Sequence, residues 1–586
     1  MNKLILVFLS VIIIILSGCD DLFTPAIENN LSLDKVYNNA TYAQGLLLNG
    51  YTRISDNSWS FNDVATDDAV TNDYTNGYLK MATGQWTSNN NPVDQWINSN
   101  AAIQYLNLFL SVSDSVKWAI DKNINGMFND RMKGEAYGLR ALFMFYLLQN
   151  HAGWTSDGTL LGVPILLEPQ NPQSDFNLPR ATFEECMQHI YSDLGKADTL
   201  LPLDFEDIAN NSQVPQKYTG ISKDDYNRVF GLSFRLRMTA RIAKAIRAKA
   251  TLLAASPAYS SGNTTTWVDA ANAAANVINL KGGLSGLASN GLKWYSDAAE
   301  INGLASGVNP PEILWRSDMG TNHDLETQNY PPTLFGNGRL NPTQNLVDAF
   351  PMANGYPITD VSGNYNSGTP YANRDPRLQL FILINGSTAG TSNSTIYTAV
   401  DGGTNDGLNK VGTSTRTGYY MRKLLRQDVN LNPSSTTNQK HYKPRIRYTE
   451  LYLIYAEAAN EAWGPTGTGA NAYSAYDVIK AIRTRAGVGT TNGDPYLEYV
   501  KNSQDTMREL IRNERRLELC FEGYRFWDLR RWNKNLNETA GGVKIQNGTY
   551  QNIAVENRVY QDYMNYGPIP YSEIIKYNAL IQNKGW

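Results

Sequence analysis

The chain is short of several things that define whole classes of protein. Only 3 of its 586 residues are cysteine, which excludes a disulfide framework. Histidine occurs 4 times, too sparsely for a clustered metal centre. Charged residues make up 18%, which argues against a solvated, charge-driven disordered chain. Neither sign dominates. Lys and Arg total 51 against 55 for Asp and Glu, so the basic excess that nucleic acid requires is missing. Beyond residue 16 no apolar run is long enough to cross a membrane. Also absent are a G-x-S-x-G elbow, a Walker A loop, a G-x-G-x-x-G fingerprint, an H-E-x-x-H pair and paired C-x-x-C motifs. No cofactor and no metal is expected.

What is present begins with an address. Lys3 precedes a thirteen-residue apolar run, Leu4 to Leu16, followed by Leu16-Ser17-Gly18-Cys19. Thirteen residues make a helix of ~20 Å, too short for a ~30 Å hydrocarbon core. Residues 1–18 therefore read as a signal peptide, and the sequence around Cys19 resembles a bacterial lipobox. There the thiol would take the lipid that anchors the mature chain, 19–586.

Helical periodicity is clear over Ser32–Ile54, Trp96–Leu110, Asp130–Gln149, Thr182–Leu200, Ala240–Ala255 and Trp267–Leu280. It returns over Tyr448–Trp463, Ala472–Ala486 and Thr506–Phe521. Thr182 and Glu185 have the spacing of a capping box. Ala-rich faces let helices approach closely, as in tetratricopeptide-type hairpin repeats. The fold class is mostly α: a helical-hairpin scaffold over about 32–280 and 448–530. A loop-rich segment, about 281–447, interrupts it with short strands expected at Ile313–Arg316 and Leu378–Leu383.

Catalytic candidates are few. Asp67-Asp68 and Glu514/Glu518 are the best carboxylate pairs. The glutamates lie among Arg508, Arg512, Arg515 and Arg516, which should hold them ionised on a salt-bridged helix face. Cys186 and His189 share a helix side but lack further ligands nearby. The run Asp401–Gly407 lacks the alternating oxygens and final Glu of a calcium loop and reads as a turn. Cys520 closes an apolar stripe and is expected to be buried and inert.

Several stretches, in order, resemble the SusD/RagB family of Bacteroidetes surface lipoproteins. The run from Arg512 through Glu522-Gly-Tyr-Arg-Phe-Trp-Asp-Leu-Arg-Arg-Trp532 is similar to that family's signature. So are Asn341-Pro342 with Leu346–Phe350 and Gly355, Asn373–Leu378, Gly134–Phe143 with Gly162-Val163-Pro164, Pro568–Pro570 with Glu573, and the ending Gln582–Trp586. The resemblance covers essentially the whole mature chain. It implies a tetratricopeptide-like scaffold with variable loops and no enzymatic activity. It also implies capture of an oligosaccharide at the cell surface, for delivery to a SusC-type TonB-dependent transporter in the outer membrane. The same architecture could serve a peptide or another nutrient. A glycoside hydrolase is the more distant alternative.

The signature itself reads as architecture, with its aromatics packed under the helices and Arg374 and Arg377 pinning the Asp375-Pro376 turn. Ligand contacts belong on loops, where aromatic faces meet sugar C–H faces and amides or guanidinium groups meet hydroxyls. Two segments suit. Residues 57–91 offer Trp59, Asp73, Tyr74, Tyr78 and Trp86. Residues 290–340 offer Trp294, Tyr295, Asn322, His323, Tyr330, Asn337 and Arg339. The expectation is that Trp86, Trp294 and Tyr295 form a shallow stacking platform.

Overall fold

The computed structural model describes residues 39–56 and 59–586. The signal segment, Cys19 and the first part of the 32–54 helix lie outside the described residues. The main helices are α1 (Ala40–Thr52), α2 (Trp96–Val112), α3 (Lys122–His151), α4 (Phe183–Leu200), α5 (Ala240–Ala255) and α6 (Trp267–Leu280). They continue as α7 (Tyr448–Trp463), α8 (Ala475–Ala486), α9 (Gln504–Glu518) and α10 (Arg525–Arg531).

Local chemistry sets their ends. The Thr182 hydroxyl accepts from the Glu185 amide and the Glu185 carboxylate accepts from Thr182, a complete capping box at the start of α4. Thr266 with Asp269 and Ser474 with Asp477 do the same for α6 and α8. Ser474 is why α8 starts at Ala475 rather than Ala472. Gly487, at φ 82°, ends α8 in the left-handed region.

Each helix packs on its neighbour in sequence from α1 to α6, and α6 then packs directly on α7. The contact between α6 and α7 skips residues 281–447 entirely. Small side chains allow it: Ala270, Ala271, Ala274 and Ala275 of α6 and Ala456, Ala458 and Ala459 of α7 are all buried in one core cluster. On α3, a Cβ at Gly134 would lie 2.6 Å from Leu201 Cγ, so only glycine admits that approach.

The strands among the described residues form seven two-stranded antiparallel ladders. Three position the site. Strand β1 (Ala69–Thr71) pairs with β3 (Leu340–Pro342). Strand β2 (Ile313–Arg316) pairs with β4 (Pro444–Arg447), joining the start of the insertion to the residues just before α7. Strands β5 (Ala540–Gln546) and β6 (Thr549–Glu556) form a hairpin, turned at Asn547-Gly548 with φ of 50° and 71°. The insertion has its own core, including Trp294, Tyr330, Phe350, Phe381 and Tyr419, completed by Leu517, Cys520 and Phe521 from the end of α9 and beyond.

One expected strand is largely helical. Of Leu378–Leu383, only Ile382–Leu383 is extended; Arg377–Phe381 is a helical turn. The Asp375 carboxylate accepts from the Arg377 amide, and the Asp375 carbonyl accepts from Leu378. The Asp-Pro turn thus starts a helix that β-rich composition alone does not reveal.

Candidate ligand-binding site

Two polar constellations stand out, one internal and one open to solvent. Inside, Arg377 is fully buried and donates to Asp375 (2.7 Å), Glu514 (2.9 Å) and Glu518 (3.1 Å). Arg483 donates to Glu514 (2.7 Å), Asp494 (2.6 Å) and the Gly355 carbonyl (2.9 Å). Arg485 reaches Glu518 at 3.0 Å. Burial pushes the Glu514 carboxyl up, but Arg377 and Arg483 outweigh it and hold it below its ordinary value. Both glutamates are therefore salt-bridged as expected, though not by their helix neighbours. Arg508 pairs with Glu461, Arg512 with Glu509, and Arg515 with Asp528. The guanidinium groups on the glutamates come from 31 to 141 residues away in sequence.

The other carboxylate pair is equally engaged. Arg525 grips Asp67 with two bonds (2.9 and 2.7 Å), and Arg516 donates to Asp68 at 2.6 Å. Burial, with Asp68 beside it, pushes the neighbouring Asp63 carboxyl up to about 7. Cys520 is buried, and burial pushes its thiol up to about 12, so it is no nucleophile. Cys186 lies on the buried side of α4, beside the Val163 carbonyl, while His189 is half-buried against Asp193.

The open constellation lies where the two predicted loop segments meet. Pairing of β1 with β3 brings residue 72 beside residues 337–339. The buried Asn72 amide donates to the carbonyls of Asn337 (2.9 Å), Gly338 (3.0 Å) and Ser414 (3.2 Å), and its oxygen accepts from Arg339 (3.1 Å). One side chain thus ties three loops together. Above it, Tyr74 is 70% exposed, with the Arg416 guanidinium 5.2 Å from its ring centroid. Arg416 is fixed in turn by Glu556 and the Thr71 carbonyl, both at 2.8 Å. The cleft is walled by Asn409 and Val411 on one side and Ile553 and Val555 of β6 on the other. It offers an aromatic face, amides, a guanidinium and an apolar strip, a combination suited to a sugar chain.

The expected platform is corrected by these positions. Trp86 is buried and stacks edge-on against Trp586 at 4.8 Å, and its indole donates to Asn91. Trp294 and Tyr295 are buried beside Tyr442 in the insertion core, and Tyr330 is buried with its hydroxyl on the Arg426 carbonyl. None of these four rings offers a face to solvent. Trp294, Tyr295 and Tyr330 serve as core because the insertion builds its own hydrophobic centre from loops, and Trp86 fills a separate small cluster with Phe526 and Tyr560. Tyr78 is half-buried, His323 bonds Thr327 at 3.0 Å, and Trp59 lies edge-on to His441. Asp73 closes a turn on Thr75. Of the predicted residues, Tyr74, Asn337 and Arg339 gather around Asn72. Sequence reasoning passed over Asn72, Arg416, Asn409 and the β6 wall. The Gly- and Asn-rich run around 401–416 was the available signal. Its first part, Asp401–Gly407, reads as a turn and is one in the structure, anchored by Asp406 on the Thr333 amide at 2.8 Å.

The family motifs converge in three dimensions. Arg374 donates to the carbonyls of Val347 and Phe350, both at 2.6 Å, so the two mid-chain motifs brace each other. Asn583 of the tail donates to the carbonyls of His151 and Gly567. A family model described as "SusD family" matches residues 311–586, and a second, "Starch-binding associating with outer membrane", matches residues 24–217. The chain belongs to the SusD family. Its SusD fold is shared with a SusD-like protein from Bacteroides fragilis. That likeness has a TM-score of 0.71 at 22% identity, over 94% of this chain and 98% of the other. A second structure from that organism, titled a SusD-like carbohydrate-binding protein, gives 0.65 at 20% identity over 93% and 99%. In sequence, the SusD-like protein P38 of Formosa agariphila is 36% identical over 108 residues, which is 18% of this chain and 19% of that protein. The match thus spans about a fifth of that curated relative's length.

Proposed function

We propose that this SusD-family chain is a cell-surface glycan-binding protein that captures oligosaccharides in the Tyr74 cleft. The observation that carries the reading is the exposed Tyr74 ring, set beside Arg416 over the Asn72 junction. An aromatic face with converging amide and guanidinium donors is how proteins hold neutral, hydroxyl-rich ligands. Membership of the family and the carbohydrate-binding relative support the same class of ligand. In this reading the mature chain begins at Cys19 and is held by lipid on the outer face of the outer membrane. It passes its glycan to a SusC-type TonB-dependent transporter. It binds and does not catalyse: the carboxylate pairs Asp67/Asp68 and Glu514/Glu518 are buried and held by arginines.

A glycan array probed with the purified chain tests the ligand class, followed by calorimetric titration of the best hit. Tyr74→Ala should weaken that hit roughly tenfold. An array that retains no glycan, alongside a pull-down that retains peptides, would replace the glycan reading with the peptide one. Sugar release by the purified chain would overturn the non-catalytic assignment. Labelling with a fatty-acid analogue should fail in Cys19→Ser.

A further inference from the structure

A second cavity lies far along the chain from the Tyr74 cleft, where α5 and α6 meet the start of the insertion. Its lining carries Arg235, Arg237, Arg241 and Lys281 against Asp204 and Glu206. The excess is two positive charges, in a chain whose net charge is −4. A concave wall of one sign concentrates counter-ions of the other.

The excess is real at the level of pairs. Arg241 is answered by Asp204 at 2.7 Å, and Arg235 by Glu206. Arg237 is answered only in part. Its nearest carboxylate is the buried Glu135, 3.5 Å away, which Arg131 also shares at 3.5 Å and which accepts the Tyr51 hydroxyl at 2.6 Å. One carboxylate therefore faces two guanidinium groups; Arg237 Nη1, turned to Glu135, is buried with no hydrogen-bond acceptor, while part of the Arg237 side chain stays open to solvent. Lys281 has no carboxylate within 4 Å among the described residues. Its ammonium sits 4.6 Å from the centroid of the Tyr448 ring. Burial, then Arg241, hold that ammonium below its ordinary pKa, against the weaker opposing pull of Glu312 and Asp204.

We propose that this cavity is a binding site for an oxyanion, a sulfate or carboxylate group, held between Lys281 and Arg237. The chemistry is shared by a free inorganic anion and by an acidic substituent on a sugar. Arg237 supplies planar donors and Lys281 a point charge. The hydrophobic wall of Pro310, Pro311 and Leu314 leaves room for the uncharged remainder of a ligand. The site is separate from the Tyr74 cleft and stands whether or not that cleft takes a glycan.

Calorimetric titration of the purified chain with sodium sulfate, potassium glucuronate and glucose, at ionic strength held constant with chloride, tests it. Binding of sulfate or glucuronate, and none of glucose, is expected. Tighter sulfate binding identifies a free anion or sulfate ester, and tighter glucuronate binding a carboxylated sugar. Lys281→Met should weaken the anion roughly tenfold, and Lys281→Arg should restore it. Lys281 makes no carboxylate pair that its loss would strand, so a cooperative melt of Lys281→Met is expected. Arg237→Gln gives an independent loss. The proposal is overturned if neither anion binds, or if the Lys281→Met and Arg237→Gln variants both bind like the parent.

Discussion

At Arg377 every donor has a named carboxylate and no atom sees water; at Tyr74 most of the side chain is in solvent, and its fixed neighbour is a single guanidinium. The first region is built from the residues that carry the family resemblance. The second is built from residues outside those motifs. The contrast separates two uses of polar chemistry. Buried ion pairs gain little net energy, because desolvation offsets attraction, but removing one partner leaves an isolated charge in a dry interior. Such a network tolerates no single change, which suits a common architecture. A cleft in water loses little stability when a side chain is changed, so its specificity is free to differ among proteins of one fold.

The comparison can be broken most directly at Arg377. Arg377→Met leaves Asp375, Glu514 and Glu518 buried without their shared partner, and should cost about 3–5 kcal/mol in urea unfolding. A loss below about 1 kcal/mol would place the network among ordinary surface pairs. Asp63 tests the same interior through pH. Its carboxyl titrates near about 4 when unfolded but at about 7 in the fold. Between those values the native state holds the extra proton, so this group's contribution to stability falls as pH rises through the window. Asp63→Asn removes that fall. The variant should gain on the parent by more than about 1 kcal/mol between pH 4.5 and pH 8, measured as the difference of their unfolding free energies. Equal pH profiles would show that Asp63 is ionised without cost.

Smaller effects sharpen the other side. Ser474→Ala removes one half of the α8 capping box and should cost about 1 kcal/mol. Tyr74→Ala should leave unfolding within about 0.5 kcal/mol of the parent, while weakening the glycan. A large drop in melting temperature there would make Tyr74 a structural anchor.

The helical scaffold was legible because its signals are local. Thr182 and Glu185, and the alanines of α5 and α6, declare themselves within a few residues. The strand expected at Leu378–Leu383 failed because Asp375 outside the window starts a helix. Partners of Glu514 and Glu518 were illegible for the same reason at longer range: Arg377 and Arg483 arrive from other elements, while nearby Arg508 and Arg512 point elsewhere. The aromatics of the loops could not be sorted by composition. Trp294 and Tyr74 have similar polar neighbours in sequence, yet one is buried in the core of the insertion and the other is open to solvent. Asn72 is inconspicuous as a residue type and matters only because β1 and β3 pair.

The chain leaves the scaffold after α6 and re-enters at α7 against the same helix, with β2 and β4 clasped at the exit. In polymer terms the insertion is a loop whose ends are already closed. Lengthening it by a factor of two adds only about 0.6 kcal/mol of closure entropy. The scaffold therefore sets almost no limit on how much chain can be spent above it. The constraint falls instead on the short stretch that roots the insertion, Leu517, Cys520 and Phe521, where every new loop must find the same floor.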